Sequence, residues 1–269
     1  MVVFPNCKIN LGLNILRKRE DAFHDLETVF YPVPFTDVLE VISSNHPSFS
    51  ITGYPVDGDA SGNLCVKAYH LLKKDFPQLP EIKIHLHKAV PTGAGLGGGS
   101  ADASFMLKLL NEKFTLGLSE QQLVSYALRL GSDCPFFILN KPCFAQGRGE
   151  ILEEIPLNLS AYRILLINPG IHVNTGWAFA QIRPAVPERS IREIIMQPVE
   201  TWKTGLKNDF EDAVFEAHPA VKAIKDQLYE QGAVYASMSG SGSTVFGLFD
   251  KKVPVSNQFS PGYFTKLIN

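Results

Sequence analysis

The sequence predicts a mixed protein of strands and helices arranged in two domains, and three observations carry that expectation. Apolar residues alternate with polar ones near the N-terminus, a glycine-rich stretch joins a strand to a helix in the first half, and a turn-like acidic stretch near the middle precedes a second set of helices and strands. At 269 residues, 45% of them hydrophobic, the chain is long enough for one large domain or two modest ones with cores of their own.

From Lys8 to Leu16, the residues Ile9, Leu11, Leu13 and Ile15 share one face and Lys8, Asn10, Gly12 and Asn14 the other, which predicts a half-buried strand. Arg17 to Asp21 reads as a solvated turn. Leu26 to Val33, Asp37 to Ile42 and Phe49 to Thr52 read as further strands. Asn63 stands where an N-cap belongs, ahead of Leu64, Ala68, Leu71 and Leu72 at helical spacing, and this helix should end near Pro77. Ile82, Ile84 and Leu86 alternate with Lys83, His85 and His87, so a strand leads into the glycines, and Ala101 to Asn111 continues as a helix. Ser119 and Gln122 form a capping-box pattern for a helix through Leu130, with Gly131 expected to close it at positive φ. Residues 147 to 160 read as turns, with a domain boundary near Ile155 that divides the chain into 1–155 and 156–269. A strand over Ile164 to Ile167 follows, then helical patterns over Thr175 to Ile182, Asp209 to Ala217 and Val221 to Tyr229. Two strands, Val234 to Met238 and Thr244 to Phe249, are joined by SGSGS, and the tail after Lys251 gives weak signals.

A formal charge of -2 with seven histidines indicates neither a nucleic-acid face nor an acidic tail. The four cysteines, Cys7, Cys65, Cys134 and Cys143, form no CxxC pair and no zinc spacing, and they read as thiols of a reducing compartment, hence a cytoplasmic protein. No apolar run reaches the length of a membrane span, so no membrane partner is expected.

The chemistry concentrates in PTGAGLGGGSADAS, Pro91 to Ser104, where five of the seven residues from Gly93 to Gly99 are glycine. A loop without side chains leaves backbone amides free to point inward, and at the start of a helix those amides join its positive end to favour a phosphate. The hydroxyl of Ser100 is placed to add a donor. Two other readings stand beside this one: a tight crossing that needs glycine for packing alone, and a dinucleotide fingerprint, because Gly93, Gly95 and Gly98 satisfy GxGxxG. The acidic residue that such a fingerprint expects about 20 residues on is missing. No lysine follows the glycines either, so a phosphoryl-transfer enzyme built on this loop must bring its cation from elsewhere.

Lys8 is the first candidate, in a polar stripe with Asn6, Asn10 and Asn14. Asp133, in GSDCPFF, is the second: it can cap a helical turn that has Pro135 near its start and still accept a proton. Cys134 reads as a core thiol. Phe23 and His24 follow a charged turn where a ring can stack on a planar ligand. Thr175 reads as an N-cap ahead of Trp177 and Phe179, and Ser239 to Thr244 as a second small-residue turn.

With KINLGL, PTGAGLGGGSADAS and SGSGSTVFGLF in this order, the sequence resembles the GHMP kinase superfamily. The segments PNCKINLGLNIL, REDAFHDLETVFYPV, GSDCPFF, FAQGRGE, NPGIHVNT and NDFE resemble the branch that serves the non-mevalonate isoprenoid route, and the likeness spans residues 3 to about 250. The resemblance implies an α+β fold with an N-terminal domain like ribosomal protein S5 domain 2 and a ferredoxin-like C-terminal domain. It implies ATP with Mg2+, and a cytidyl diphosphate alcohol as small-molecule substrate, handled by a monomer or homodimer. In this scheme Asp133 would be general base on the C2 hydroxyl of a methylerythritol unit and Lys8 would stabilise the developing charge. Asn10 and His24 would position the substrate, Phe23 and Phe179 would sandwich the cytosine, and Thr175 would fix the cytidyl end. Pro91, Thr92, Gly93, Ala94, Gly95, Leu96, Gly97, Gly98, Gly99, Ser100 and Ala101 would cradle the ATP phosphates, while Asn63, Leu64 and Lys88 would line the adenine region. Cys7 replaces a common alanine, and DAFH replaces DGYH, which keeps a stacking ring at Phe23 but loses its hydroxyl.

Overall fold

The computed structural model describes residues 1–56, 58–256 and 258–269. In chain order the elements are β1 (Val2–Val3), β2 (Asn6–Lys18), β3 (His24–Thr36), β4 (Val38–Ser43), β5 (Ser48–Gly53), α1 (Leu64–Asp75), β6 (Ile82–Lys88), α2 (Gly98–Lys113), α3 (Glu120–Leu128) and α4 (Cys134–Leu139). There follow β7 (Cys143–Gln146), β8 (Ile151–Glu154), β9 (Tyr162–Asn168), α5 (Thr175–Gln181), α6 (Ile191–Ile195), α7 (Trp202–Gly205), α8 (Phe210–Ala217), α9 (Pro219–Glu230), β10 (Tyr235–Met238), β11 (Val245–Asp250) and β12 (Phe264–Ile268). They form two compact units, one made of residues 1–7, 34–92 and 97–141, the other of residues 8–33, 93–96 and 142–269. The glycine run is thus shared: Gly93 to Leu96 pack with the second unit, and Gly97 onward with the first.

The first unit is a four-stranded sheet, β1-β4-β6-β5, with helices packed against it. β4 and β6 are antiparallel, and only the β5–β6 pairing in this sheet is parallel. Leu39, Val41, Ile82, Ile84 and Leu86 face a core that α1 and α2 complete with Cys65, Ala68, Leu72, Met106 and Leu110. Local chemistry sets the helix ends as expected. The Asn63 side chain accepts a hydrogen bond from the Cys65 amide to start α1, and Ser119 and Gln122 form the full capping box of α3. Gly131 does not close α3 at positive φ. Instead the Leu130 and Gly131 amides both donate to the Ala127 carbonyl, a tight last turn that any residue can make.

The second unit carries most of the sheet β2-β3-β7-β8, in which β7 is antiparallel to both β3 and β8, and the antiparallel sheet β10-β11-β9-β12. The β10–β11 hairpin forms around SGSGS, with Met238 opposite Val245. Leu165, Ile167, Ala236, Met238, Val245 and Phe249 build its core with α8 and α9 through Phe210, Val214, Ile224 and Leu228. Two segments differ from the sequence reading. Residues 147–160, read as turns, contain β8, whose acidic solvent-facing residues hide its pairing with β7. The tail contains β12, which borrows its order from the edge of β9 rather than from its own composition.

β2 also differs, because its polar face is as buried as its apolar one: Lys8, Asn10 and Asn14 lie inside. Sequence alternation reports which residues share a face, not whether another layer covers it.

Leu72 is fully buried in the first unit's core. Leu72→Ala is expected to lower the unfolding free energy by about 2–5 kcal/mol, read from urea titration followed by circular dichroism.

Candidate active site

In the second unit, the first half of the glycine run is fixed by three segments distant in sequence. The Leu96 carbonyl accepts from the Lys8 amide at 3.0 Å, and the Ala94 carbonyl from the Thr244 amide at 3.3 Å. The Gly95 carbonyl accepts from the Ser239 hydroxyl at 2.8 Å, while the same hydroxyl accepts from the Asn10 amide at 3.2 Å. Gly95 sits at φ +79°, and a Cβ there would lie 2.0 Å from the Ser239 carbonyl oxygen. The packing reason for glycine therefore holds at Gly95, where two backbones meet. The turn that meets it is held by Asn208, whose side-chain amide donates to the Met238 and Gly240 carbonyls at 2.8 and 2.9 Å.

Lys8 is 3% exposed. Its ammonium donates to Asn10 Oδ1 and stands 5.1 Å from the centre of the Phe30 ring. Asn10 is oriented in turn by donating to the Thr28 hydroxyl at 3.0 Å, and that hydroxyl donates to the Gly12 carbonyl. A buried ammonium beside an amide oxygen and a ring face is a charge withdrawn from water.

In the first unit, β6 delivers the chain to α2, which begins at Gly98. Gly97 occupies the N-cap at φ +69° and has no side chain to cap the leading amides. An uncapped helix start is what an anion needs there. Thr92 donates through its hydroxyl to the Pro55 carbonyl at 3.0 Å, and Leu64 approaches Gly99, where a Cβ would lie 3.9 Å from its Cδ1. Lys88 is 2% exposed, and its ammonium binds both Asp37 and Asp102, the latter at 2.7 Å. Burial alone would lower the Lys88 pKa, but the two carboxylates outweigh it and the net shift is upward. Burial pushes the Asp102 carboxyl up to about 7, reinforced by Asp37 and opposed by Lys88.

Asp133 stands at the start of α4, half-buried, and its side chain makes no capping hydrogen bond. The next residue is tied to α2, because the Ser104 hydroxyl donates to the Cys134 carbonyl at 2.7 Å. The backbone that carries Asp133 is thus fixed against α2. The neighbouring Cys134 thiol is buried, with its pKa pushed up to about 11 chiefly by that burial, which leaves it protonated and unreactive.

The remaining predicted residues lie together in the second unit. Phe23 is 49% exposed, with the Arg148 guanidinium 4.5 Å from its ring centre. His24, rather than Phe23, lies parallel to Phe179, at 4.8 Å and 16°, and Phe179 meets Phe210 edge-on. The His24 pKa is lowered, first by burial and then by Lys18, which favours a neutral, stackable ring. Thr175 is not the cap of α5. Asn174 is, accepting from the Trp177 amide at 2.9 Å, and this leaves the Thr175 hydroxyl to face that of Ser241 at 3.1 Å. Sequence reasoning assigned no role to Asp37, Asp102, Arg148, Asn208 or Ser239. Arg148 and Asn208 lie in FAQGRGE and NDFE, but each serves its site through partners that sequence distance conceals.

The strand before the glycines is flanked by one antiparallel and one parallel neighbour, not by the parallel strands of a doubly wound dinucleotide sheet. The family models agree on the class of protein. GHMP kinases N terminal domain matches residues 63–141 and GHMP kinases C terminal matches residues 190–259, so this is an α+β, ATP-dependent small-molecule kinase. A curated relative from Bacteroides thetaiotaomicron, 4-diphosphocytidyl-2-C-methyl-D-erythritol kinase, is 58% identical over 93% of this chain and 92% of its own length. A crystal structure of 4-(cytidine 5'-diphospho)-2C-methyl-D-erythritol kinase matches with a TM-score of 0.78 at 31% identity, covering 92% of this chain and 90% of that one. Homoserine kinase from Cytophaga hutchinsonii matches with a TM-score of 0.70 over 98% of this chain and 94% of its own, but at 15% identity it shares the fold alone. The chain belongs to the 4-diphosphocytidyl-2-C-methyl-D-erythritol kinase family of GHMP kinases.

Two predictions follow from this geometry. Gly95→Ala should displace the loop or the turn and raise the KM for ATP at least about tenfold, read by steady-state kinetics. Asp102 binds a proton on folding between its ordinary 3.8 and about 7, so its contribution to stability is complete below 3.8 and lost as pH rises through about 7. Between pH 5 and pH 8 the urea midpoint should therefore fall in the wild type relative to Asp102→Asn.

Proposed function

We propose that this kinase transfers the γ-phosphoryl group of ATP to the C2 hydroxyl of 4-diphosphocytidyl-2-C-methyl-D-erythritol, a step of non-mevalonate isoprenoid biosynthesis in the cytoplasm. The observation that carries the substrate is the 58% identity, over nearly the whole chain, to a relative of that name. In this reading Asp133 accepts the hydroxyl proton and the Lys8 ammonium offsets the charge that develops on the oxygen. Asp133 suits the task as a half-buried carboxylate at the start of α4, and Lys8 because it donates to Asn10 in a buried position.

The amides from Gly93 to Ala101, with Pro91 and Thr92 shaping the entry, hold the nucleotide phosphates, and Asn63 and Leu64 flank its base. Lys88, expected from the sequence to line the adenine region, is instead buried between Asp37 and Asp102 and takes no direct part in holding the nucleotide. Among the described residues no group of three or more His, Cys, Asp and Glu side chains is arranged to hold a metal ion. A magnesium ion carried on the nucleotide phosphates would neutralise charge on the transferring group. At the other end, Asn10 and His24 orient the substrate, Phe179 and His24 together with Phe23 offer ring faces to the cytosine, and Thr175 fixes the cytidyl end. Residues 1–155 thus carry most of the nucleotide contacts, and 156–269 supply Thr175, Phe179 and the turn behind the loop.

The test is ADP release in a coupled assay with the cytidyl substrate beside mevalonate, homoserine and galactose. Turnover of the cytidyl alcohol alone is expected, and turnover of only another alcohol would refute the substrate. Asp133→Ala should lower kcat by about 10²- to 10⁴-fold while calorimetry shows ATP binding nearly intact. Unchanged turnover would remove Asp133 as the base.

A further inference from the structure

Beneath the start of α2 lies a cluster that the transfer reaction does not use. Asp37, at the entry to β4, accepts from the Ala89 and Val90 amides through Oδ1 at 2.7 and 2.8 Å, and takes the Lys88 ammonium with Oδ2. The same ammonium donates to Asp102 Oδ2 in the first turns of α2. It also lies directly under the first helical residue, since a Cβ on Gly98 would be 3.2 Å from Lys88 Nζ. One buried cation thus ties together the end of β6, the start of β4 and the N-terminus of α2.

The arrangement is expensive as a stabilising device. Three ionisable groups are almost wholly withdrawn from water, two carboxylates share one ammonium, and Asp102 Oδ1 is buried with no hydrogen-bond partner. The buried Cys65 thiol of α1 is held protonated by burial and by the two carboxylates, so it adds no charge to the cluster. Apolar side chains of similar volume would fill this space at less cost. What they could not supply is direction: an ammonium held by two carboxylates and seated under Gly98 sets both the height and the rotation of the helix start.

The geometry points to Lys88 and Asp102 as positioning residues for ATP: the Asp37–Lys88–Asp102 tie sets the helix start so that the amides of Gly98, Gly99 and Ser100 are presented to the nucleotide phosphates. The inference rests on the phosphate-binding reading of the glycine run and adds to it how that loop is aimed. Wild-type turnover tests the underlying reading, whereas the variants below test the tie, so the two can fail separately.

Asp102→Ala removes the helix end of the tie, and Asp102→Asn keeps an acceptor for Lys88. The alanine variant is expected to raise the KM for ATP about tenfold, with kcat within about threefold and the KM for the alcohol unchanged, and the asparagine variant to restore most of the loss. A merely structural role would lower the amount of active enzyme and leave both KM values where they were. That result, or equal rises in both KM values, overturns the inference. If Asp102→Ala does not fold, Asp102→Leu, which fills the same space without an acceptor for Lys88, decides by the same kinetics. A rise in the KM for ATP alone supports the tie, and unchanged or equally raised KM values overturn it.

Discussion

The carbonyl of Ser239 comes so close to the α-carbon of Gly95 that no side chain fits between them, and much of the second unit depends on that contact. It brings the β10–β11 turn against the glycine run, and the Ser239 hydroxyl then bonds both the Gly95 carbonyl and the Asn10 amide of β2. Asn208 holds the turn from behind, immediately before α8. Strand, loop and turn are locked by the Lys8 and Thr244 amides together with the Ser239 hydroxyl and the Asn208 side chain, and loop and turn are built mostly of small residues. A loop held this way is preorganised, so binding an anion costs it little ordering.

The molecule also buries two lysines. Lys88 is shared by two carboxylates and becomes a tie within the first unit. Lys8 donates to the Asn10 amide oxygen beside the Phe30 ring. A desolvated charge acts at close range with little screening.

The strands and helices that carry these groups were largely legible in the sequence. The alternation at Ile82 to Leu86, the Asn63 cap and the Ser119–Gln122 box are local signals, and each appears where the pattern put it. The weaker readings failed where a non-local partner supplied the order: β8 exists because β7 pairs with it, and β12 because β9 offers an edge. At Thr175 a neighbouring residue with an equally good oxygen, Asn174, took the cap. At Gly131 hydrogen bonds to a single carbonyl made positive φ unnecessary.

By itself the sequence determined that a glycine-rich loop opens a helix after a strand, that Lys8 and Asn10 share a face, and that Asp133 precedes a short helix. These follow from spacing within a few residues, where backbone geometry leaves few options. Tertiary structure alone decided that the polar face of β2 is buried, that Gly95 is glycine on account of Ser239, and that Lys88 is enclosed by Asp37 and Asp102. The physical reason is the same in each case: burial and charge pairing depend on groups 14 to 229 residues away, and no local pattern encodes them.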